Sequence, residues 1–165
     1  MAELAVAVAR KLGLDEGVVE ATRAAGLLHD IGKLSIPAEI LSKPSALSPL
    51  EMSLIKTHSQ SAYDVLRTID FPWPVANIVL QHHERMDGSG YPQGLSGDAI
   101  LMEARILAVA DVVEAMSSHR PYRAALGIEA ALAEVERGRG VLYDVLVVDA
   151  CLDLFRVEGF CFSSV

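Results

Sequence analysis

Gly26-Leu27-Leu28-His29-Asp30-Ile31-Gly32-Lys33 is the stretch on which the reading of this chain turns. Leu27, Leu28 and Ile31 mark the segment as buried, and His29 and Asp30 stand side by side within it. An ionised carboxylate enters an apolar helix end only with a partner, because its desolvation costs several kcal/mol. A metal ion suits the pair well: the imidazole offers a neutral nitrogen, and the carboxylate has two oxygens able to bridge two cations. The plainer alternative is a salt-bridged His–Asp pair in a core. The rest of the chain decides between them.

A length of 165 residues fits one domain with a proper core. Aromatics are only 5% while Ala, Leu and Val dominate, which favours helices over a β-sandwich. A net charge of −8 and a pI near 5.0 exclude a nucleic-acid polymer as the expected partner, since polyanion binding needs a basic face. A small anionic ligand held through metals stays open. The mean hydropathy of +0.33 is high, yet no apolar run reaches the roughly 18–20 residues of a membrane span. The surplus points to an interface, with a missing segment or a second copy of the chain. The start MAELAVAVARK has no basic lead before its apolar part and does not read as a signal peptide. Cys151 and Cys161 lie far from the His–Asp pair and read as core or incidental thiols in a reducing cytoplasm.

Outward from the opening stretch, apolar periodicity predicts a helix over 2–12, broken by Gly13, and a second over 16–31 capped by Asp15 and ended by Gly32. Residues 37–41 read as one helical turn. Ser48-Pro49-Leu50-Glu51 is a capping box with proline at the first helical position, so a helix runs from there to about Arg67 with His58 in its middle. Phe71-Pro72-Trp73-Pro74 is a rigid turn. The next helix, 75–83, ends in His82-His83-Glu84. Neighbouring helical residues point about 100° apart, so His82 and His83 serve two ions, or one ligates while the other faces substrate. Residues 85–97 carry Gly88, Gly90, Gly94 and Gly97 and form a loop pinned by Tyr91-Pro92, with no Walker or dinucleotide glycine motif. Asp98 is the expected cap of a central helix over 99–116. In it Asp111 sits among valines and alanines and needs a cation, for which Arg105 is the plain local candidate. Arg120 and Arg123 bracket a Pro-Tyr turn and suit phosphate recognition by forked guanidinium donors. Helices over 128–135 and, capped by Asp144, to about Phe155 complete the chain. The tail from Val157 carries no pattern.

Each of these residues has an ordinary reading by itself: a core histidine, a helix-end histidine, an internal ion pair. Together His29, Asp30, His58, His82, His83 and Asp111 put only nitrogen and oxygen donors inside or at the ends of apolar helices. That set suits Fe, Mn or a similar ion better than a closed cysteine-rich zinc site. A bridging Asp30 fits a two-metal site that binds a phosphodiester and activates a water between the ions.

The spacing of HDIGK (29–33), His58, HHERMDGSGYP (82–92) and ARILAVADVVEAMSSHRPYR (104–123) resembles the HD-GYP family, a branch of the HD superfamily of metal-dependent phosphohydrolases. The likeness covers about Ala5 to Phe155. It implies an all-α fold, the HD-superfamily helical bundle with a long glycine-rich GYP loop, over residues 1–156, leaving 157–165 as a tail. It implies hydrolysis of cyclic di-GMP to pGpG or on to GMP by a hydroxide activated between two divalent metal ions, Fe or Mn. The six residues above match the family's ligands, with Asp30 bridging and catalytic. Lys33 matches the lysine placed near the scissile phosphate, as proton donor or charge stabiliser. Arg120 and Arg123 match phosphate-binding positions. Gly90-Tyr91-Pro92 is the signature, with Tyr91 shaping the substrate side of the loop. Some members add a ligand from the helix before the His–Asp pair and bind a third metal. The matching positions would precede Met1, so a third metal is not expected, and the chain reads as a piece of a longer cytoplasmic protein with a fused sensor or receiver domain. A GGDEF-type domain or a second copy are further partners. The rival reading is a catalytically silent module that binds the dinucleotide or docks a protein.

Overall fold

The computed structural model describes residues 1–118 and 126–162. They form α1 (Ala2–Lys11), α2 (Glu16–Leu28), α3 (Ala38–Leu41), α4 (Pro49–Lys56), α5 (His58–Leu66), α6 (Val75–Gln81), α7 (Met102–Ser117), α8 (Ile128–Arg137) and α9 (Val145–Arg156), with 3₁₀ turns at Ile31–Ser35 and Gly97–Ala99. Pairing between extended segments is limited, among the described residues, to isolated bridges. The all-α expectation holds.

α7 is the central helix, as its apolar surround predicts. Ala104, Ile106, Leu107, Val109, Ala110 and Val113 are all buried on it, and α1, α2, α6, α8 and α9 pack against it. The local start signals act as read. Asp15 accepts from Val18 N–H, Ser48 and Glu51 form the reciprocal capping box, and Asp144 accepts from Leu146 and Val147 N–H.

Four expectations change. First, α2 ends at Leu28, so His29, Asp30 and Lys33 stand on its C-cap and the following 3₁₀ turn. The turn exists because Gly32 passes directly over the start of α5: a Cβ there would overlap the His58 carbonyl oxygen. Leu27, expected inside, is 72% exposed, because the buried face of α2 runs through Val19, Thr22, Ala25 and Gly26. Second, the helix expected over 48–67 breaks at Thr57. The Leu54 carbonyl takes the Thr57 hydroxyl at 2.7 Å, and the Ile55 carbonyl meets His58 Nδ1 at 2.7 Å. His58 therefore opens a new helix instead of lying in the middle of one.

Third, Asp98 does not cap α7. It lies in the 3₁₀ turn and pairs with Arg105 at 3.1 Å, while the acceptor at the start of α7 is Gln81 Oε1, which takes Leu101 N–H at 2.8 Å. Fourth, the tail is packed as far as described. Phe160 and Phe162 set their rings against Phe155 with centroids 5.1 and 5.9 Å away, and Glu158 meets Lys11 at 2.6 Å. Cys151 is buried, which pushes its thiol up to about 12, and Cys161 is exposed; neither is in a disulfide. Among the described residues no helix is long and apolar enough to cross a membrane.

Candidate metal centre

The ends of α2 and α6, the start of α5 and the middle of α7 meet at one pocket. His29 brings Nε2 to 3.4 Å from Asp30 Oδ2 and 3.8 Å from Asp111 Oδ1. Across the pocket His58, His82 and His83 place a ring nitrogen each within 4.8 Å of one another. The two halves join at His29 and His82, whose ring centroids are 5.5 Å apart.

Three of the four histidines are aimed by the same device. Nδ1 of His29 meets the Gly26 carbonyl at 2.9 Å, His58 meets Ile55 in the same way, and His82 meets Val79. Each partner lies three residues upstream. A carbonyl only accepts, so Nδ1 carries the proton and Nε2 keeps its lone pair facing the pocket. For His58 and His82 that Nε2 is buried with no hydrogen-bond partner. An orphaned acceptor of this kind costs free energy unless something occupies it. A divalent cation would do so, and a backbone carbonyl on the far ring nitrogen is the usual outer support of a ligating histidine.

Electrostatics point the same way. Burial pushes His82 down to about 3, and burial also lowers His83 and His58. All three are neutral at pH 7, the form that binds metal. Asp30 keeps its charge. Burial works against it, but nearby positive charge, with Lys33 Nζ at 2.8 Å, outweighs the burial, and its carboxyl is lowered.

The expectation that neighbouring His82 and His83 diverge is only half right. α6 stops at Gln81, so the pair leaves the helix, and the two rings lie 3.9 Å apart in one cluster. Arg105 is not the partner of Asp111. It is drawn away to Asp144 at 3.0 Å, Asp98 and the Ile100 carbonyl. Arg120 and Arg123 lie outside the described residues.

The glycine-rich loop closes one side of the pocket. Tyr91 stacks on His83, centroids 4.8 Å apart, and burial raises its hydroxyl. The Tyr91–Pro92 peptide is cis. What holds the loop is Glu84, which sequence reading passed over. Its side chain is buried, the residue being 2% exposed, and its two oxygens accept Gln93 N–H at 2.7 Å and Leu95 N–H at 3.0 Å. Gly90 is needed beside it, because a Cβ there would overlap the backbone of Glu84 and Arg85. The available signal was weak: an acidic residue directly after an apolar helix and before a run of loop amides. Lys56, also unremarked, holds its ammonium 5.1 Å from the Tyr91 ring centroid.

A family model described as HD domain matches residues 1–147. The chain is 47% identical over 154 residues to the cyclic di-GMP phosphodiesterase response regulator RpfG of Xanthomonas campestris, covering 92% of this chain and 41% of that protein. It is 40% identical over 153 residues to 3'3'-cGAMP-specific phosphodiesterase 1 of Vibrio cholerae, covering 89% of this chain and 36% of that protein. The chain thus spans less than half the length of these relatives. Bd1817, a HDG"Y"P protein from Bdellovibrio bacteriovorus, shares the fold with a TM-score of 0.75 at 21% identity, over 94% of this chain and 50% of that one.

Proposed function

Because the chain belongs to the HD domain family, we propose that its histidine–carboxylate pocket is the centre of a metal-dependent phosphodiesterase acting on cyclic di-GMP, with pGpG or GMP as product. The observation that carries this reading is the pair of buried, unpartnered Nε2 atoms of His58 and His82, facing a cluster that also contains His83, His29, Asp30 and Asp111. Those six residues would hold two divalent ions, and Fe or Mn suits their nitrogen and oxygen donors. Such ions, when bound, supply Lewis acidity toward phosphoryl oxygens and lower the pKa of a bound water.

The chain's own residues do the rest. Asp30 stays ionised, and Lys33 Nζ lies 2.8 Å from its carboxylate, beside the pocket. From there Lys33 protonates or stabilises the 3′-oxygen as it leaves phosphorus. Arg120 and Arg123, by their place in the sequence, offer guanidinium forks to the phosphoryl oxygens. The protein carries a net charge of −8, so a dianionic ligand depends on such local cations. Glu84 and Gly90 fix the loop that sets Tyr91 as a wall. In this reading the catalytic unit is residues 1–156, with 157–165 a tail. It works in the cytoplasm, and a GGDEF-type domain, a fused sensor or receiver domain, or a second copy are its partners. A silent docking module has no use for orphaned ring nitrogens.

The test is hydrolysis of cyclic di-GMP by anaerobically purified protein with Fe(II) or Mn(II), products separated by chromatography. We expect linear product that disappears with chelator, and loss of both turnover and bound metal in Asp30→Ala. Wild-type turnover by that variant, or bound ions without product, would overturn the proposal.

A further inference from the structure

Beside the metal centre, on the outer side of Tyr91, is a second hollow of about 350 Å³, bounded by Ser53, Lys56, Thr57, Gln60, Tyr91 and Pro92. This is within the range of about 300–1,000 Å³ typical of small-molecule sites. It joins the catalytic pocket at two places. Tyr91 is shared, since its ring stacks on His83. Ser61, at the rim, bonds Ser35 at 3.2 Å, on the same 3₁₀ turn that carries Lys33.

Lys56 is the unusual group here. The other lysines are each tied to a carboxylate: Lys11 to Glu158, Lys33 to Asp30 and Lys43 to Glu51. Lys56 pairs with no carboxylate among the described residues, in a strongly acidic chain, and stands over an aromatic ring instead. An exposed cation free of acids, next to a flat ring and amide and hydroxyl groups, has the parts of a nucleobase subsite. The ring lies on His83 with the ammonium standing over it, so the ring serves as a flat wall and the ammonium gives donors for a base edge. An ammonium donates and cannot accept, so its own contact chooses among purines. Guanine presents O6 and N7, both acceptors, where adenine presents N7 and a donating amino group.

Resting on the phosphodiesterase reading above, we infer that this hollow receives one base of the cyclic dinucleotide. There Lys56 makes the subsite prefer guanine over adenine, with Gln60 as a second polar contact. The relatives matched by the chain include proteins named for cyclic di-GMP and for 3'3'-cGAMP, so base choice is a property that varies among them. The chemistry at phosphorus stays with the metal centre.

The experiment is calorimetric titration of the Mn²⁺-loaded protein with phosphorothioate analogues of cyclic di-GMP and cyclic di-AMP, which resist cleavage. Wild type should bind the guanine analogue about tenfold more tightly, the lower range of one base-edge contact. Lys56→Met should bind both alike, by weakening only the guanine analogue, and Lys56→Arg should restore the preference. Because Lys56 is exposed, unchanged affinity for the adenine analogue also reports an intact fold. A preference that survives Lys56→Met, an equal loss for both analogues, or no preference in wild type overturns the inference. Hydrolysis of unmodified cyclic di-GMP is read in parallel. Absence of turnover with the guanine preference intact would sink the phosphodiesterase reading and leave the base subsite standing.

Discussion

Glu84→Gln keeps the size of a buried side chain and removes one of its two acceptors. In the native loop each carboxylate oxygen takes one backbone N–H, Gln93 at 2.7 Å and Leu95 at 3.0 Å. An amide offers one oxygen to one of these, and its NH₂ then faces the other donor. A hydrogen bond to a charged group is worth about 1.5–3 kcal/mol, so the variant should lose roughly that amount. For a chain of this length each kcal/mol lowers Tm by about 2–4 °C, giving a fall of about 3–12 °C. Urea unfolding at pH 7, followed by the fluorescence of the single Trp73, reads the free energy, and a thermal scan reads Tm. Turnover should fall as well, because the loop that holds Tyr91 against His83 loosens. Glu84→Ala should cost more, leaving both N–H groups bare and a cavity beside them. If Glu84→Gln unfolds within about 0.5 kcal/mol of wild type, the size of change expected for an ordinary surface substitution, the anchoring argument fails.

Two further outcomes follow from the same pocket. His82, lowered to about 3 by burial against an ordinary value of 6.5, takes up protons in the unfolded chain before the folded one. Its contribution is complete above about pH 6.5 and is lost as pH falls toward about 3, with about 2 kcal/mol gone by pH 5. His58 and His83 shift in the same direction. Urea midpoints of chelated protein should therefore drop between pH 7 and pH 5, and equal midpoints would refute the buried-neutral assignment. Gly32→Ala places a methyl against the His58 carbonyl and must push the 3₁₀ turn off α5. The expected cost is about 1–3 kcal/mol or more, together with weaker Mn²⁺ binding because Asp30 moves with the turn. A variant with wild-type Tm and wild-type Mn²⁺ affinity would show that the close approach is not needed.

What the sequence determined by itself is whatever depends on neighbours a few residues apart. The Ser48–Glu51 capping box, the Asp15 and Asp144 caps, and the apolar surround of α7 are local, and the structure bears each of them out. The candidate donors stood out in the sequence because histidine and aspartate inside apolar segments are too costly to leave unexplained. The tertiary structure alone decided how those donors are presented. The break at Thr57 and the turn at Ile31–Ser35 answer to one packing event, Gly32 crossing the His58 carbonyl, between segments far apart in the chain. Arg105 was expected to serve Asp111 on its own helix and instead goes to Asp144, 39 residues away. Glu84 drew no reading from the sequence, because its partners, the loop amides of Gln93 and Leu95, reach it only when the loop folds back. Helix caps and periodicity are short-range and fixed by covalent spacing. The aim of a side chain is set by which distant backbone offers the free carbonyl or N–H, and that partner exists only once the helices have packed.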